Sequence, residues 1–521
     1  MRKLVIFIAI VIGAMFLSPL RSAIAAEKPT VLKMPAIFAD NMVLQRGIAA
    51  PVWGWAAPGE QITVSFREQK KTATANADGK WMLKLDAMTA GGPWEMDVAG
   101  NTSITIRNVM VGEVWICSGQ SNMEFQLRSA HNAKEAIAES KNTQLRHFTL
   151  IKAQADQPLA DCRGKWEEAD PAVSGNFTAV GYFFGRKLQK DLGVPVGLIH
   201  TSWGGTPIEV WMSVKCIESD PDTAAAMEQY NRRVEQHKAA LLQHQAKLAE
   251  IKAAYDKEVE IAKQQGRPAP AAPKLPAAPG GPGWKPAVLY NAMIAPIVPY
   301  AVGGAIWYQG ESNAGNAKLY RKQMPMMIQS WRDDFACGEF PFLMVSLANF
   351  MQRREQPSDS GWAELREAQA LTAQTCPKTG VAIAIDVGDA QDIHPRDKQS
   401  VGERLELNAL ALGYGKQIEY SGPVYEAMKI DGGKIRLSFK HIGGGLVAKD
   451  GDLKGFAIAG EDRKFVWADA KIDGESIVVS SPQVAAPVAV RYAWADNPEC
   501  NLYNEAGLPA VPFRTDDWAR K

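Results

Sequence analysis

The spacing of hydrophobic and polar positions changes three times along the chain, and each stretch predicts a different architecture. Up to about Asn108, short β-type runs alternate with turn dipeptides. Val52-Trp53-Gly54-Trp55, Ile62-Thr63-Val64-Ser65-Phe66 and Trp81-Met82-Leu83-Lys84-Leu85 read as strands, with Pro58-Gly59 and Asp78-Gly79 as turns. They predict a small antiparallel β-sandwich. From Val111 the apolar runs become continuous, at 111–117, 194–199, 301–307, 341–347 and 380–385. Helical stretches at 177–192, 320–331 and 398–412 fall between or beyond them. Short apolar strands alternating with helices predict a parallel sheet covered on both faces, with ligands at the carboxyl ends of its strands. From about Gly422 the β pattern returns: Ile435-Arg436-Leu437-Ser438-Phe439 and Ser476-Ile477-Val478-Val479-Ser480 alternate, with turns at Asp431-Gly432-Gly433 and Asp473-Gly474.

The α/β stretch is interrupted. Over 222–265 the positions Met227, Tyr230, Val234, His237, Leu241, His244, Leu248, Ile251, Tyr255, Glu258 and Ala262 follow steps of three and four. That is a heptad seam on one or two long helices. A single helix would be roughly 66 Å long at about 1.5 Å per residue. Polar His237, His244 and Glu258 interrupt the seam, and the two histidines read as partly exposed seam residues rather than metal ligands. The Pro-, Ala- and Gly-rich 266–283 reads as a linker back to the α/β domain. The expected organisation is thus a β-sandwich at 30–109, an α/β domain at 110–421 with an insertion at 220–284, and a β-rich domain at 422–521.

Composition narrows the class. A chain of 521 residues suits two or three domains, and 46% apolar residues suffice for packed cores. Lys plus Arg (58) nearly equals Asp plus Glu (57), which argues against a nucleic-acid binder. Arg2 and Lys3 precede an apolar run over 4–17, and Ala23-Ile24-Ala25 offers small residues for a signal peptidase. The run is shorter than the roughly 20 residues of a spanning helix. Residues 1–26 therefore read as a secretion signal, and the mature protein is expected outside the cytoplasm, periplasmic or secreted, without membrane contact. Six widely spaced cysteines show no zinc-ligand pattern and leave the pairing open.

Four segments carry candidate chemistry. Cys117-Ser118-Gly119-Gln120-Ser121-Asn122-Met123 follows a strand and enters a predicted helix, so Ser121 sits where a hydroxyl meets the sheet's ligand edge and free helix N–H groups. Cys117 reads as a small buried neighbour. Ser202-Trp203-Gly204-Gly205-Thr206-Pro207 follows a second strand, and its paired glycines bring a backbone N–H close to a ligand. Trp307-Tyr308-Gln309-Gly310-Glu311-Ser312-Asn313 crowds polar side chains at the end of a third. Asp392-Ile393-His394-Pro395 lies in a late loop. Of the seven histidines, His237 and His244 sit on the insertion and His441 in the last β-region. Among His131, His147, His200 and His394, only His394 has a carboxylate two residues away in a loop after an apolar strand. Trp203, Trp211 and Trp307 near these motifs suit either a core or a stacking surface.

Together the four segments resemble the SGNH (GDSL-like) hydrolases, and within them the sialate O-acetylesterase family. The resemblance rests on GQSNM, SWGGTPIE, WYQGESN and DIHP with downstream Lys398 and Gly402-Glu403-Arg404-Leu405, and runs from about Met34 to Trp518. It implies a three-layer α/β/α fold and a serine esterase that removes O-acetyl groups from sugars or glycans. Ser121 would be nucleophile and His394 general base. The N–H of Ser121, one of Gly204 or Gly205, and the Gln309 side chain would form the oxyanion hole, with Asn313 the alternative to Gln309. The family's usual acid lies three residues before the histidine, where this chain has Gln391. Asp392 is the expected acid, with Asp389 and Asp386 behind it. Gln120, Asn122, Trp203, Glu311 and Asn313 would bind substrate or support the site. No metal or organic cofactor is required. Acetylated plant polysaccharide such as xylan is the second substrate reading, and a non-catalytic carbohydrate-binding protein the rival from another class.

Overall fold

The protein is described here as a computed structural model covering residues 30–519. The expected secretion signal, residues 1–26, lies outside them. The central sheet is built from β1 (Ser103–Gly119), β2 (Asn142–Leu150), β3 (Gly164–Ala169), β4 (Val196–His200), β5 (Gly304–Tyr308), β6 (Phe342–Val345) and β7 (Thr379–Ala382). Their order is β7-β6-β5-β1-β4-β2-β3. The first six are parallel neighbours, and β3 closes the edge antiparallel to β2. The sheet is therefore mixed rather than wholly parallel. Residues 151–163 contain no crossover helix, so the chain returns beside β2 in the opposite direction.

Both faces of the sheet are buried, by alternate residues of the same strands. Trp115, Cys117, Ile306, Tyr308, Leu343 and Val345 pack with Phe183, Phe184 and Leu405. On the other face Ile116, Trp307, Phe342 and Met344 pack with Trp211, Trp331 and Leu365. Trp211 and Trp307 are thus core residues, in edge-on ring contact at 6.1 Å, and offer no stacking surface. The helices around the sheet are α1 (Ser121–Glu124), α2 (Ala179–Leu192), α3 (Pro221–Gln264), α4 (Ala317–Phe335), α5 (Gly361–Thr375) and α6 (Lys398–Asn408). β1 leaves the sheet's centre, the chain then fills one side through β2 and β4, and β5 to β7 fill the other. Loops at the carboxyl ends of β1, β4 and β5 converge at that reversal.

β1 also extends backwards. Its first half pairs with Gly91–Ala99, its second with β4 and β5. The expected boundary at 109–110 falls inside this strand. Trp53 and Trp81 are buried in the N-terminal β-region. Beyond α6, a four-stranded antiparallel sheet of Val424–Asp431, Lys434–Lys440, Asp469–Asp473 and Ser476–Ser480 shares a core with a second sheet around Phe456–Ala459 and Ala489–Tyr492.

The insertion is one helix of 44 residues, α3, capped by the Asp220 side chain accepting the N–H of Thr223. The Pro-rich segment after it is not a loose linker. Pro270 accepts from the Tyr255 hydroxyl at 3.2 Å, and Pro282 from the Arg233 guanidinium at 2.9 Å. From Arg233 to Tyr255 the helix rises about 33 Å at 1.5 Å per residue. Pro270 to Pro282 spans about 37 Å at the 3.1 Å rise of polyproline II. The two lengths match, so an extended return strand lies along the helix and half-covers the seam.

Candidate active site

At Gly119 the chain leaves β1 with φ 131°, and a side chain there would place its Cβ 2.2 Å from the Tyr308 carbonyl oxygen of β5. Only glycine allows that approach. Gln120 is extended and Ser121 then opens α1. The helix expected here is a single turn of four residues, so individual N–H groups matter more than a long helix dipole. His394 arrives from the far side of the sheet, in the loop between β7 and α6. Its Nε2 lies 2.8 Å from Ser121 Oγ across 273 residues of sequence. Both side chains are half-buried and reachable from solvent.

The carboxylates separate clearly. Asp392 Oδ1 is 3.4 Å from His394 Nδ1 and accepts the backbone N–H of His394 at 2.8 Å, with 56% of its side chain exposed. Asp386 instead grips Arg404 through both oxygens, at 2.6 and 2.7 Å, and accepts from the Tyr503 hydroxyl. Asp389 is engaged with the N–H of Gln391. Asp392 is the carboxylate placed against the imidazole.

Of the expected oxyanion donors, Gly204 and Gln309 already have partners. The Gly204 N–H donates to Glu124 Oε2 at 2.7 Å. The Gln309 amide nitrogen donates to the Thr206 carbonyl at 3.1 Å and to Asn313 Oδ1 at 2.7 Å, which engages both of its N–H groups. Gln309 is fully buried and holds Asn313 in place. Asn313 Oδ1 also accepts from Ile208 N at 2.9 Å, and Asn313 Nδ2 donates to Glu209 at 3.2 Å, leaving its second N–H without an acceptor among the described residues. Gly205, exposed with φ 71°, likewise keeps its N–H unengaged. Gly204 is needed for space: a Cβ there would sit 3.1 Å from that of Ser121.

Behind Ser121 lies a buried polar network. Asn122 Nδ2 donates to Glu311 at 2.6 Å and to the Ile393 carbonyl at 3.0 Å, and its Oδ1 accepts from Lys398. The Lys398 ammonium also lies over the rings of Phe125 and Tyr308 at 4.8 and 5.2 Å. Gln120 accepts the N–H of Ser312 at 3.3 Å and joins the same two turns. The network therefore bolts the Ser121 turn, the 309–313 turn and the His394 loop together. Burial raises the Glu311 carboxyl above its ordinary value. Burial pulls Lys398 from 10.5 down to about 7, against the attraction of Glu311. Unfolding restores the ordinary lysine value, so the unfolded chain holds the extra proton above about pH 7. The cost of this lysine is full below that pH and fades as pH rises towards 10. In urea unfolding, the stability of the wild type relative to Lys398→Met is expected to rise over that window, by on the order of a few kcal/mol. A difference that stays flat with pH would refute the assignment.

Lys398 and Glu209 were picked out only as parts of the motifs that carry the resemblance, and Glu124 and Trp284 by no motif at all. No local pattern marks them, because their partners lie far away in sequence. Trp284, at the end of the insertion, donates to the Gly205 carbonyl at 3.0 Å and meets Trp203 edge-on at 5.3 Å. Lys152 lies over the Trp203 ring at 5.2 Å and pairs with Glu124. The insertion thus ends beside the Gly204-Gly205 loop, while its start is held against α4, where Lys322 pairs with Asp222. A second serine–histidine contact, Ser202 with His200, is a buried look-alike: burial lowers His200 to about 4 and keeps it neutral. His147, stacked on Phe177 at 4.3 Å, is neutral for the same reason. Cys117 is buried and its thiol pushed up by desolvation, which denies it a nucleophile's role.

Known proteins resemble this chain over most of its length. Residues 111–276 and 275–409, more than half of the chain, match the family described as carbohydrate esterase, sialic acid-specific acetylesterase. The sialate O-acetylesterase of Mus musculus is 32% identical over 92% of this chain and 93% of its own length, and that of Homo sapiens 31% over 91% and 90%. A solved carbohydrate acetylesterase from Xanthomonas citri is 39% identical, covers 94% of this chain and 100% of its own, and superposes with a TM-score of 0.79. The α/β fold with its appended β-sheets, read with these relatives, is that of a carboxylic ester hydrolase. The chain belongs to the sialic acid-specific acetylesterase family of carbohydrate esterases.

Proposed function

We propose that the protein is a serine esterase that removes O-acetyl groups from sialic acids, such as the 9-O-acetyl group, through an acyl-enzyme on Ser121. The contact that carries this reading is the 2.8 Å approach of His394 Nε2 to Ser121 Oγ at the carboxyl edge of the sheet. Neutral His394 takes the hydroxyl proton as Ser121 Oγ attacks the acetyl carbonyl. The developing oxyanion is met by the N–H groups of Ser121, Gly205 and Asn313, each contributing about 3 kcal/mol in the transition state. His394 then protonates the departing sugar oxygen. Water, deprotonated by His394, attacks the acetyl-enzyme, and acetate leaves as Ser121 recovers its proton. Asp392 holds the imidazole through Nδ1. Its exposure weakens that hold, so Asp392→Asn is expected to lower kcat by about 10- to 100-fold, well short of the ~10⁴ seen for a buried triad acid. A pH–rate series on both forms measures it.

The same reading takes the α/β region as an SGNH-type three-layer fold between an N-terminal β-region, continuous with it through β1, and a β-domain at 422–521, and assigns residues 1–26 to export towards a periplasmic or secreted location. The second substrate reading is acetylated plant polysaccharide, which falls within the broader carbohydrate acetylesterase class named for the Xanthomonas citri protein. The test is acetate release from 9-O-acetylated sialic acid, acetylated xylo-oligosaccharide and an aryl acetate, with Ser121→Ala as control. Release from the sialate by the wild type alone supports the first reading. Release confined to xylan fragments selects the second, and silence on every sugar overturns both.

A further inference from the structure

Trp467 is the one aromatic among the strongly exposed large hydrophobic side chains of the described residues, at 41%. It belongs to the short strand Val466–Trp467, paired with Phe456–Ala459 in the C-terminal β-region. Its indole N–H donates to the Glu355 carbonyl at 2.7 Å, which fixes the ring without covering it. Two adjoining cavities of about 380 and 230 Å³ flank it and share Pro357, Ser358, Gly455 and Trp467 in their walls. Their combined size lies in the roughly 300–1,000 Å³ range of small-ligand sites.

The rim is polar and its charges largely pair off. Glu499 meets Lys454 at 2.7 Å and Arg353 at 3.5 Å, and Arg491 is held by Asp516 at 2.8 Å. A flat ring among amides and neutralised charges suits a neutral polyhydroxylated ring better than a polyanion: apolar C–H faces stack on the indole while hydroxyls meet the rim. The groove is also hydrogen-bonded, through one side chain, to the segment that leads to His394. One wall is the loop after β6, which leaves the carboxyl edge of the sheet as the Ser121 and His394 loops do. Asn349 in that loop accepts the N–H of Gly388 at 2.7 Å, on the segment leading to His394, and donates to Asn497 of the groove at 3.0 Å.

We propose that the Trp467 groove is a second carbohydrate subsite, which stacks an unacetylated sugar ring of the glycan whose acetyl group is presented to Ser121. The proposal rests on the acetyl-sugar esterase reading and extends it to substrates longer than one sugar. The test compares Trp467→Ala and Trp467→Phe with wild type on three acetyl esters: p-nitrophenyl acetate, an acetylated monosaccharide and an acetylated tetrasaccharide of the same sugar. Trp467→Ala is expected to raise KM on the tetrasaccharide about tenfold and leave the other two unchanged, with Trp467→Phe recovering most of the loss. Equal KM values on the tetrasaccharide overturn the subsite, and so does an equal loss on the aryl ester, which marks a folding defect. In parallel, the unacetylated tetrasaccharide is titrated into the full-length wild type and followed by tryptophan fluorescence. Saturable quenching absent from Trp467→Ala supports the subsite even if no sugar acetate is hydrolysed. No quenching in the wild type overturns it even if acetate is released.

Discussion

Ser121→Ala is expected to lower kcat for acetyl-ester hydrolysis by about 10⁵- to 10⁶-fold, and His394→Ala by nearly as much. The Ser121 hydroxyl is a weak nucleophile until a base removes its proton, and His394 Nε2 at 2.8 Å is the base within reach. The two side chains act as one unit, so the double variant should lose little beyond either single one. What survives would come from the oxyanion donors and from binding. Neither side chain is deeply buried, so thermal denaturation should scarcely change, which separates lost chemistry from lost fold. The measurement is single-turnover acetate release, with mass spectrometry to catch an acetyl group on the peptide containing Ser121. Near-normal activity in Ser121→Ala would remove the acyl-enzyme mechanism. Additive losses in the double variant would mean that serine and histidine work separately.

The second large effect belongs to a residue that need not touch the reacting atoms. Asn122→Ala is expected to reduce kcat by about 100-fold and to destabilise the fold by about 3–5 kcal/mol. Asn122 bridges Lys398 and Glu311 and also holds the Ile393 carbonyl, one residue before the base. Removing its amide leaves two buried ionisable groups without their shared partner and releases the histidine loop from the serine turn. A displacement near 1 Å at His394 is enough for a hundredfold loss. Asn122→Asp keeps the shape but puts a carboxylate beside Glu311, so it should fail as well, though with Lys398 better paired. Kinetics with urea unfolding of the same samples test this. Full activity in a destabilised Asn122→Ala protein would show that the network supports the fold alone.

Much of the architecture was legible from pattern. The apolar runs at 111–117, 301–307 and 341–347 became β1, β5 and β6, because a strand buried on both faces is continuously apolar. The helix at 177–192 appeared as α2, and the seam over 222–265 as α3. β2 and β3 escaped notice because they carry Arg146, His147, Glu167 and Glu168. Arg146 is fully buried in β2, satisfied by the Asn108 carbonyl and side chain and by Glu168, partners 38 and 22 residues away. α5 was missed as well. Its hydrophobic positions Trp362, Leu365 and Ala368 face the core, but its polar Arg366 and Gln369 are buried too, with Arg366 donating to the Leu347, Ala348, Ala495 and Asp496 carbonyls.

The division between sequence and tertiary structure follows the range of the interactions involved. Periodicity, turn chemistry and the strand-end placement of GQSNM, SWGG, WYQGESN and DIHP are local properties, and they determined which turns carry the polar groups. The family belonged to that local information as well. Which of those groups remain free is a long-range matter. Glu124 engages the Gly204 N–H across 80 residues, and Gln309 turns inward to hold Asn313, so of the alternatives the motifs left open, Gly205 and Asn313 are the ones that keep free donors. Asp386, an alternative from the sequence, is set aside because Arg404 and Tyr503 have folded onto it. The Pro-rich return along α3 was likewise decided by packing, since its composition describes a linker equally well. A hydrogen-bonding group accepts only as many partners as it has sites, and contacts hundreds of residues apart in sequence settle which partners those are.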